Sequence, residues 1–189
     1  MRKEDLKIFI NIPSINTERL ILRKIAMSDC ADMHEYSSDE KVCEFLLWSP
    51  HTHISETRNK LRNIERKYKQ AEFFDWGIEF DGKFIGVVGF SSLSLANNSG
   101  EIGYVINSKY WGQGIATEAV GAIIKFGFER LNLSRIETRY IKENVASARV
   151  SQKCSLIREG CMRSSLIVKG QRRDICVSSI LAQEYFSKK

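Results

Sequence analysis

The chain of 189 residues carries 29 basic against 23 acidic side chains, a net charge of +6, with 43% hydrophobic and 28% charged residues. That is the composition of an ordinary globular domain with ample apolar material for a core. Its longest apolar runs, FLLW at 45–48 and KIFINI at 7–12 broken by Asn11, are too short for a bilayer span or a signal sequence, so a cytoplasmic chain with no membrane partner is expected. Five cysteines at 30, 43, 154, 161 and 176 show no C-x-x-C spacing. This argues against a disulfide framework or zinc site, and for buried or idle thiols. His51 and His53 lack any H-E-x-x-H context, and no metal is expected. The basic balance favours anionic partners: a phosphorylated cofactor, an acidic protein or RNA.

Residues 1–16 read as a lead-in to one domain over 17–189. ERLILRKI (18–25) has a β-like pattern, and Ser28 opens a short helix to about Tyr36. Another short helix and a loop ending in WSPHTH fill 38–53. Ser55 is the expected N-cap of a longer helix with Leu61, Ile64, Tyr68 and Ala71 on one stripe. The basic run RNKLRNIERKYK at 58–69 falls on that helix and reads as its solvated face. Two strands then flank Asp81-Gly82, a strong hairpin signal, and Asn97-Asn98-Ser99-Gly100 turns into a strand at 101–106. A helix over 116–131, a strand over 134–141, a helix over 144–154 and two strands, 156–168 and 173–182, joined near Gly170, complete the chain. The β-α-β unit 101–141 makes its two strands parallel, and the hairpins make the sheet mixed.

YWGQGIATEAV (110–120) places bare backbone at Gly112 and Gly114 immediately before a helix. Free amides at a helix start suit a pyrophosphate. A plain turn is an equal reading of this stretch by itself. The third glycine of a dinucleotide fingerprint and the Gly-Lys-Ser/Thr of a Walker loop are both missing.

EIGYVINSKYWGQGIATEAV, followed by SRIETRYIKENVASARVSQKCSLIREG and closed by GQRRDICVSSIL, resembles the GNAT superfamily of acetyl-CoA-dependent N-acetyltransferases, within it the RimJ/RimL-like group. The likeness runs from about Thr17 to Leu181. It implies an α+β fold of the α/β/α type: a mixed, mostly antiparallel, seven-stranded sheet with a splayed central parallel pair, flanked by helices. The pyrophosphate loop falls on Trp111, Gly112, Gln113, Gly114, Ile115 and Ala116, with Thr117 following. Trp111 replaces the usual Gln or Arg. Asn144 and Ser147 fit the N-x-x-S element, and Lys153-Cys154-Ser155-Leu156 departs from K-x-G-F. The likeness further implies that Tyr104, Val105 and Ile106 meet the pantetheine arm and the oxyanion through backbone groups, with Arg149 and Lys153 beside the cofactor.

Acetyl transfer needs a neutral amine, a stabilised oxyanion and a proton for the departing sulfur. Glu101 is the candidate base, with His51 and His53 as rivals. The Tyr that many such proteins place seven residues after the Asn is Ser151 here, so Ser147 is the candidate donor to the thiolate. Of the aromatic group Trp48, Phe73, Phe74 and Trp76, most belong to the core by composition alone. Acceptor-side candidates are Trp48, His51, His53, Phe74 and Trp76. The expected partners are acetyl-CoA and an amine acceptor: a protein N-terminus, a polyamine, or an amine on an antibiotic or toxic metabolite. Ribosome association fits the basic charge, and the chain is expected as a monomer or homodimer. A non-catalytic acyl-CoA-binding or ribosome-associated module is the competing reading.

Overall fold

A computed structural model describes residues 3–187. Residues 1–2 of the expected lead-in and 188–189 of the expected domain lie outside it. After a 3-10 helix at Lys3–Phe9 come strands β1 (Ile15–Asn16) and β2 (Leu20–Arg23), then helices α1 (Cys30–Ser37), α2 (Glu40–Cys43) and α3 (Ile54–Lys69). Strands β3 (Asp75–Phe80), β4 (Lys83–Ser94) and β5 (Ser99–Ile106) form a meander. Helix α4 (Ile115–Glu129), β6 (Arg135–Ile141), α5 (Val145–Lys153), β7 (Ile157–Val168), β8 (Gln171–Leu181) and α6 (Ala182–Ser187) complete the order. Among the described residues the strands make one eight-stranded sheet, ordered β1-β2-β3-β4-β5-β6-β8-β7. The strand beyond the expected seven is β1, whose two residues pair with Leu22 and Ile21 and are too few to show a period.

The turns follow their chemistry. Asp81 and Gly82 both take positive φ, 50° and 73°, which matches the twist of the flanking strands. Lys169 and Gly170 repeat this at 49° and 79°, so β8 begins at Gln171 rather than 173. Helix α3 starts one residue before the expected cap. His53 is the N-cap, and Glu56 Oε1 accepts from the amides of Thr52 and His53 at 3.1 and 3.0 Å. A glutamate three residues past the cap satisfies orphan donors that Ser55 would have left open. The helix closes at Lys69, and Ala71 leaves the stripe with φ at 55°.

The sheet separates two helical layers. On one face α4 approaches closely at Gly127, where a Cβ would meet Ile136 Cδ1 at 2.7 Å. Trp76 packs there against Phe9 and Phe126 and donates to Pro13 O at 2.7 Å. On the other face Tyr36 of α1 stacks on Phe84, and Tyr68 of α3 donates to the Asp75 carbonyl at 2.7 Å. From this layer the segment at the end of α2 reaches the far end of the sheet, where Phe45 packs against Ile141, Val168 and Ile175 and Lys169 Nζ donates to the Cys43 carbonyl at 2.6 Å. β7 is exposed along most of its length.

The central pair is parallel only where residues 99–102 face 135–138. Beyond that point β5 stays with β4 as far as Ile106, and β6 stays with β8 as far as Ile141, so the two strands part. A register shift between Phe90 and Ser92 adds local twist on the β4 side. One expectation fails on the neighbouring hairpin: Cys161 and Cys176, opposed in register, are joined as a disulfide. Their sequence spacing holds no sign of this, because only the hairpin brings them face to face. Among the described residues Cys30, Cys43 and Cys154 are free. No helix among them is long and apolar enough to cross a membrane.

Candidate active site

The loop before α4 carries two left-handed glycines, Gly112 at φ 77° and Gly114 at φ 80°. No atom lies within 4 Å of where a Gly112 Cβ would stand, so the backbone faces open space. The Glu118 amide bonds the Gly114 carbonyl at 3.1 Å, whereas those of Ile115, Ala116 and Thr117 precede the first helical bond. Open backbone and a positive helix end fit a diphosphate. Trp111 is about half exposed, and its indole N–H donates to Ile106 O at 2.8 Å, across the end of β5. Gln113 is exposed, and its side-chain amide donates to the Lys109 carbonyl at 3.4 Å.

Side chains from both arms of the parted pair meet on the α4 face. Asn144 caps α5 by accepting from the Ser147 amide at 3.0 Å, which fixes Ser147 in the first turn. Tyr104, projecting from the free half of β5, brings its hydroxyl to 3.1 Å from Ser147 Oγ. Burial holds the Tyr104 phenol above its ordinary range, against a smaller opposing pull from Ser147. Ser151 is buried, bonded to Thr138 Oγ1 at 2.9 Å and donating to the Ser147 carbonyl at 3.0 Å. It ties α5 to β6. Arg149 and Lys153 lie exposed on α5. Ser155, where the resembling pattern has glycine, takes φ at 64°, and buried Leu156 fills the aromatic's place. The helix therefore still ends in a left-handed residue, at the strain a side chain brings there.

The opposite face of the same strands is polar. Glu101 and Glu137 stand side by side in the parallel register. Ser91 Oγ donates to Glu101 at 3.1 Å, and Arg139 Nε lies 3.5 Å from Glu101 and 3.0 Å from Glu137. Arg135 bridges Glu137 and Glu159 at 2.9 and 2.6 Å, and its guanidinium holds the Glu159 carboxyl down to about 2. Glu101, Arg135, Glu137 and Arg139, with Ser92, Ser94, Asn97 and Ser99, line a recess of 470 Å³. On the same face, a Cβ at Gly103 would stand 3.6 Å from Ser91 Cβ.

The acceptor-side candidates divide. Trp48 and His51 come together, ring centres 5.3 Å apart, with Lys60 Nζ 4.2 Å from the Trp48 ring centre. His51 Nδ1 and His34 Nδ1 lie 2.7 and 2.9 Å from the single Thr57 hydroxyl. One proton serves both contacts, so a neutral pair takes opposite tautomers. Burial, aided by the Lys60 charge, lowers the His51 pKa. The others have structural work. His53 is an exposed helix cap, Phe74 packs edge-on against Phe9, and Trp76 is fully buried on the α4 face, away from the recess. Phe73 packs on Tyr68.

Three residues were missed. Arg139 borders the recess. Arg19, between β1 and β2, donates from Nη1 to Gln113 O at 3.0 Å and so reaches the glycine loop. Asp75 opens β3 opposite Gly89, and desolvation pushes its carboxyl up to about 7 despite the charges of Lys60 and Lys67. None has a local signal, because each acquires its neighbours from distant segments.

A profile of the acetyltransferase (GNAT) domain matches residues 19–156. The uncharacterized N-acetyltransferase p20 of Bacillus licheniformis is 34% identical over 174 residues, covering 91% of this chain and 98% of that protein. The ribosomal protein uS5 alanine N-acetyltransferase of Escherichia coli is 26% identical, over 93% of this chain and 95% of that protein. The crystal structure of a GNAT-family acetyltransferase from Bacillus anthracis superposes with a TM-score of 0.80 at 30% identity, over 91% of this chain and 100% of that one. Together with a parallel pair that parts beside a glycine loop and a helix start, these likenesses make the chain a member of the GNAT family, an acetyl-CoA-dependent N-acetyltransferase.

Proposed function

We propose that the acceptor is the α-amine of a protein N-terminus, reached from the polar face of the sheet. The observation that carries this is the polar recess beside Glu101, on the face of the sheet opposite Tyr104 and Ser147. A protein substrate needs a wide cleft, whereas a small amine is better enclosed by aromatic walls. Here the lining is hydroxyls, carboxylates and guanidinium groups. The relative that acts on the ribosomal protein uS5 supports the same class of acceptor.

The cofactor supplies an acetyl thioester, and the chain's own residues do the rest. In this reading the amides at the start of α4 hold the diphosphate, and backbone groups of Tyr104, Val105 and Ile106 hold the arm and the developing oxyanion. Arg139 yields Glu101 to the incoming ammonium, and Glu101 removes its proton. The amine nitrogen then bonds to the acetyl carbon. As the carbon–sulfur bond breaks, the Ser147 hydroxyl donates a proton to sulfur and Tyr104 restores it. Net, the ammonium loses two protons, one to Glu101 before attack and one from the tetrahedral nitrogen to water, while the thiol gains one from the hydroxyl pair; water returns a proton to Tyr104, and Glu101 releases the remaining one to solvent. Glu101 is chosen over His51 because it stands on the strand that carries the parting point, while His51 is committed to Thr57.

The test is thiol release from acetyl-CoA with three classes of acceptor: peptides with free N-termini, the same peptides already N-acetylated, and small polyamines. Turnover confined to free-N-terminus peptides is expected. Turnover with polyamines and not peptides would overturn the reading.

A further inference from the structure

Glu118 lies in the first turn of α4, one turn behind the loop that suits a diphosphate. An ionised carboxylate there opposes an anion at the helix start. The chain answers with groups from the β1–β2 turn. Glu118 accepts from Thr17 Oγ1 at 2.6 Å, from the Arg19 amide at 2.8 Å and from Arg19 Nε at 2.7 Å, and pairs with Arg19 Nη2 at 2.7 Å. Its side chain is only 16% exposed, so little water screens the charge. The free arm of the same guanidinium, Nη1, donates to the Gln113 carbonyl at 3.0 Å and so offsets the negative end of that dipole beside the glycine loop. Nη2 lies 3.5 Å from where a Gly114 Cβ would stand. Trp111 brings no charge to this loop, and its N–H is already used by Ile106.

We infer that Arg19 is a positioning residue for acetyl-CoA: it cancels Glu118 and pins the Gln113 carbonyl, so that the α4 start keeps its attraction for the diphosphate. A residue nearly a hundred positions earlier in the chain thus sets cofactor affinity. The inference rests on the diphosphate lying at this helix start, and the test separates the two ideas.

Calorimetry of the full chain with coenzyme A, and with pantetheine as the probe lacking a diphosphate, would be run on Arg19→Gln, Glu118→Gln and the double variant. Arg19→Gln should weaken coenzyme A about 10- to 50-fold, more at low salt, and leave pantetheine unchanged. Glu118→Gln alone, which frees the guanidinium, should tighten coenzyme A by up to about threefold, and the double variant should return to within about threefold of wild type. In turnover, Arg19→Gln should raise the acetyl-CoA KM while kcat moves less than about twofold. If Arg19→Gln does not fold, Arg19→Lys serves, since it keeps the charge and loses the second arm; an intermediate affinity is expected. The inference fails if Arg19→Gln binds coenzyme A normally, if the double variant stays as weak as Arg19→Gln, or if Arg19→Lys binds as weakly as a variant with no charge. Should Gly114→Asp also leave affinity unchanged, it is the placement of the diphosphate that has failed. If Gly114→Asp weakens binding and Arg19→Gln does not, only the role of Arg19 is lost.

Discussion

The hydroxyl pair spanning the parted strands lends itself to a double-mutant cycle. Tyr104→Phe keeps the ring in its packed position and deletes the phenol that lies 3.1 Å from Ser147. Ser147→Ala removes the other hydroxyl but spares the helix cap, because Asn144 bonds the backbone amide of that residue. A hydrogen bond to a group gaining charge contributes about 1.5–3 kcal/mol, so each single change should lower kcat about 10- to 150-fold. If Tyr104 acts through Ser147, the double variant loses no more than the worse single one. Burial keeps the phenol protonated above its ordinary range, so the loss should be uniform from pH 6 to about pH 9. The assay is thiol release at saturating acetyl-CoA and acceptor, with the acetyl-CoA KM measured alongside. Losses that simply multiply, or a change confined to KM, would refute the relay.

Other consequences are open to measurement. Gly114→Asp puts a carboxylate at the α4 start and a side chain at φ 80°, and should weaken coenzyme A at least about tenfold by calorimetry; normal affinity in a folded variant would exclude this loop as the diphosphate site. Glu101→Gln should abolish most turnover at pH 6–9 without altering acetyl-CoA binding, whereas Arg139→Gln, which releases Glu101 from its 3.5 Å partner, should lower the peptide KM a few-fold. A wild-type rate for Glu101→Gln would move the base elsewhere. Asp75 has a folded pKa of about 7 against an ordinary 3.8. The folded chain therefore binds the extra proton, and stability falls as pH rises between those values. Asp75→Asn should recover up to about 4 kcal/mol at pH 8 and much less at pH 5 in denaturant melts; an equal effect at both would sink that reading.

How far the sequence foretold this depends on the range over which each feature is encoded. Asp81-Gly82, the glycines at 112 and 114 and the Asn144 cap are local devices, written in adjacent residues, and each appears where its chemistry requires. The parallel pair was legible because a helix must separate its strands. The point of parting was not, since it depends on β4 and β8 holding β5 and β6 on their outer sides. His53 rather than Ser55 became the cap because Glu56 outweighs a hydroxyl further along. Trp76 looked like a candidate wall of the acceptor site, but strand alternation sends it to the α4 face, beside Phe126. Arg19, Asp75 and Arg139 owe their importance to partners far along the chain, so no window of neighbouring letters reveals them.

The alternation of β5 has a consequence for how such an enzyme can diversify. Ile102, Tyr104 and Ile106 turn toward the α4 face, while Glu101 and Gly103 lie on the opposite, polar face. A strand has a side-chain period of two, so neighbouring letters face different sides of the sheet. If the acceptor arrives on the polar face as proposed, substitutions at odd-numbered positions change its contacts and leave the even-numbered face intact. A single inserted or deleted residue would exchange the two sets and damage both at once. On the proposed reading, this strand tolerates point substitution on its acceptor face far better than any change in its length.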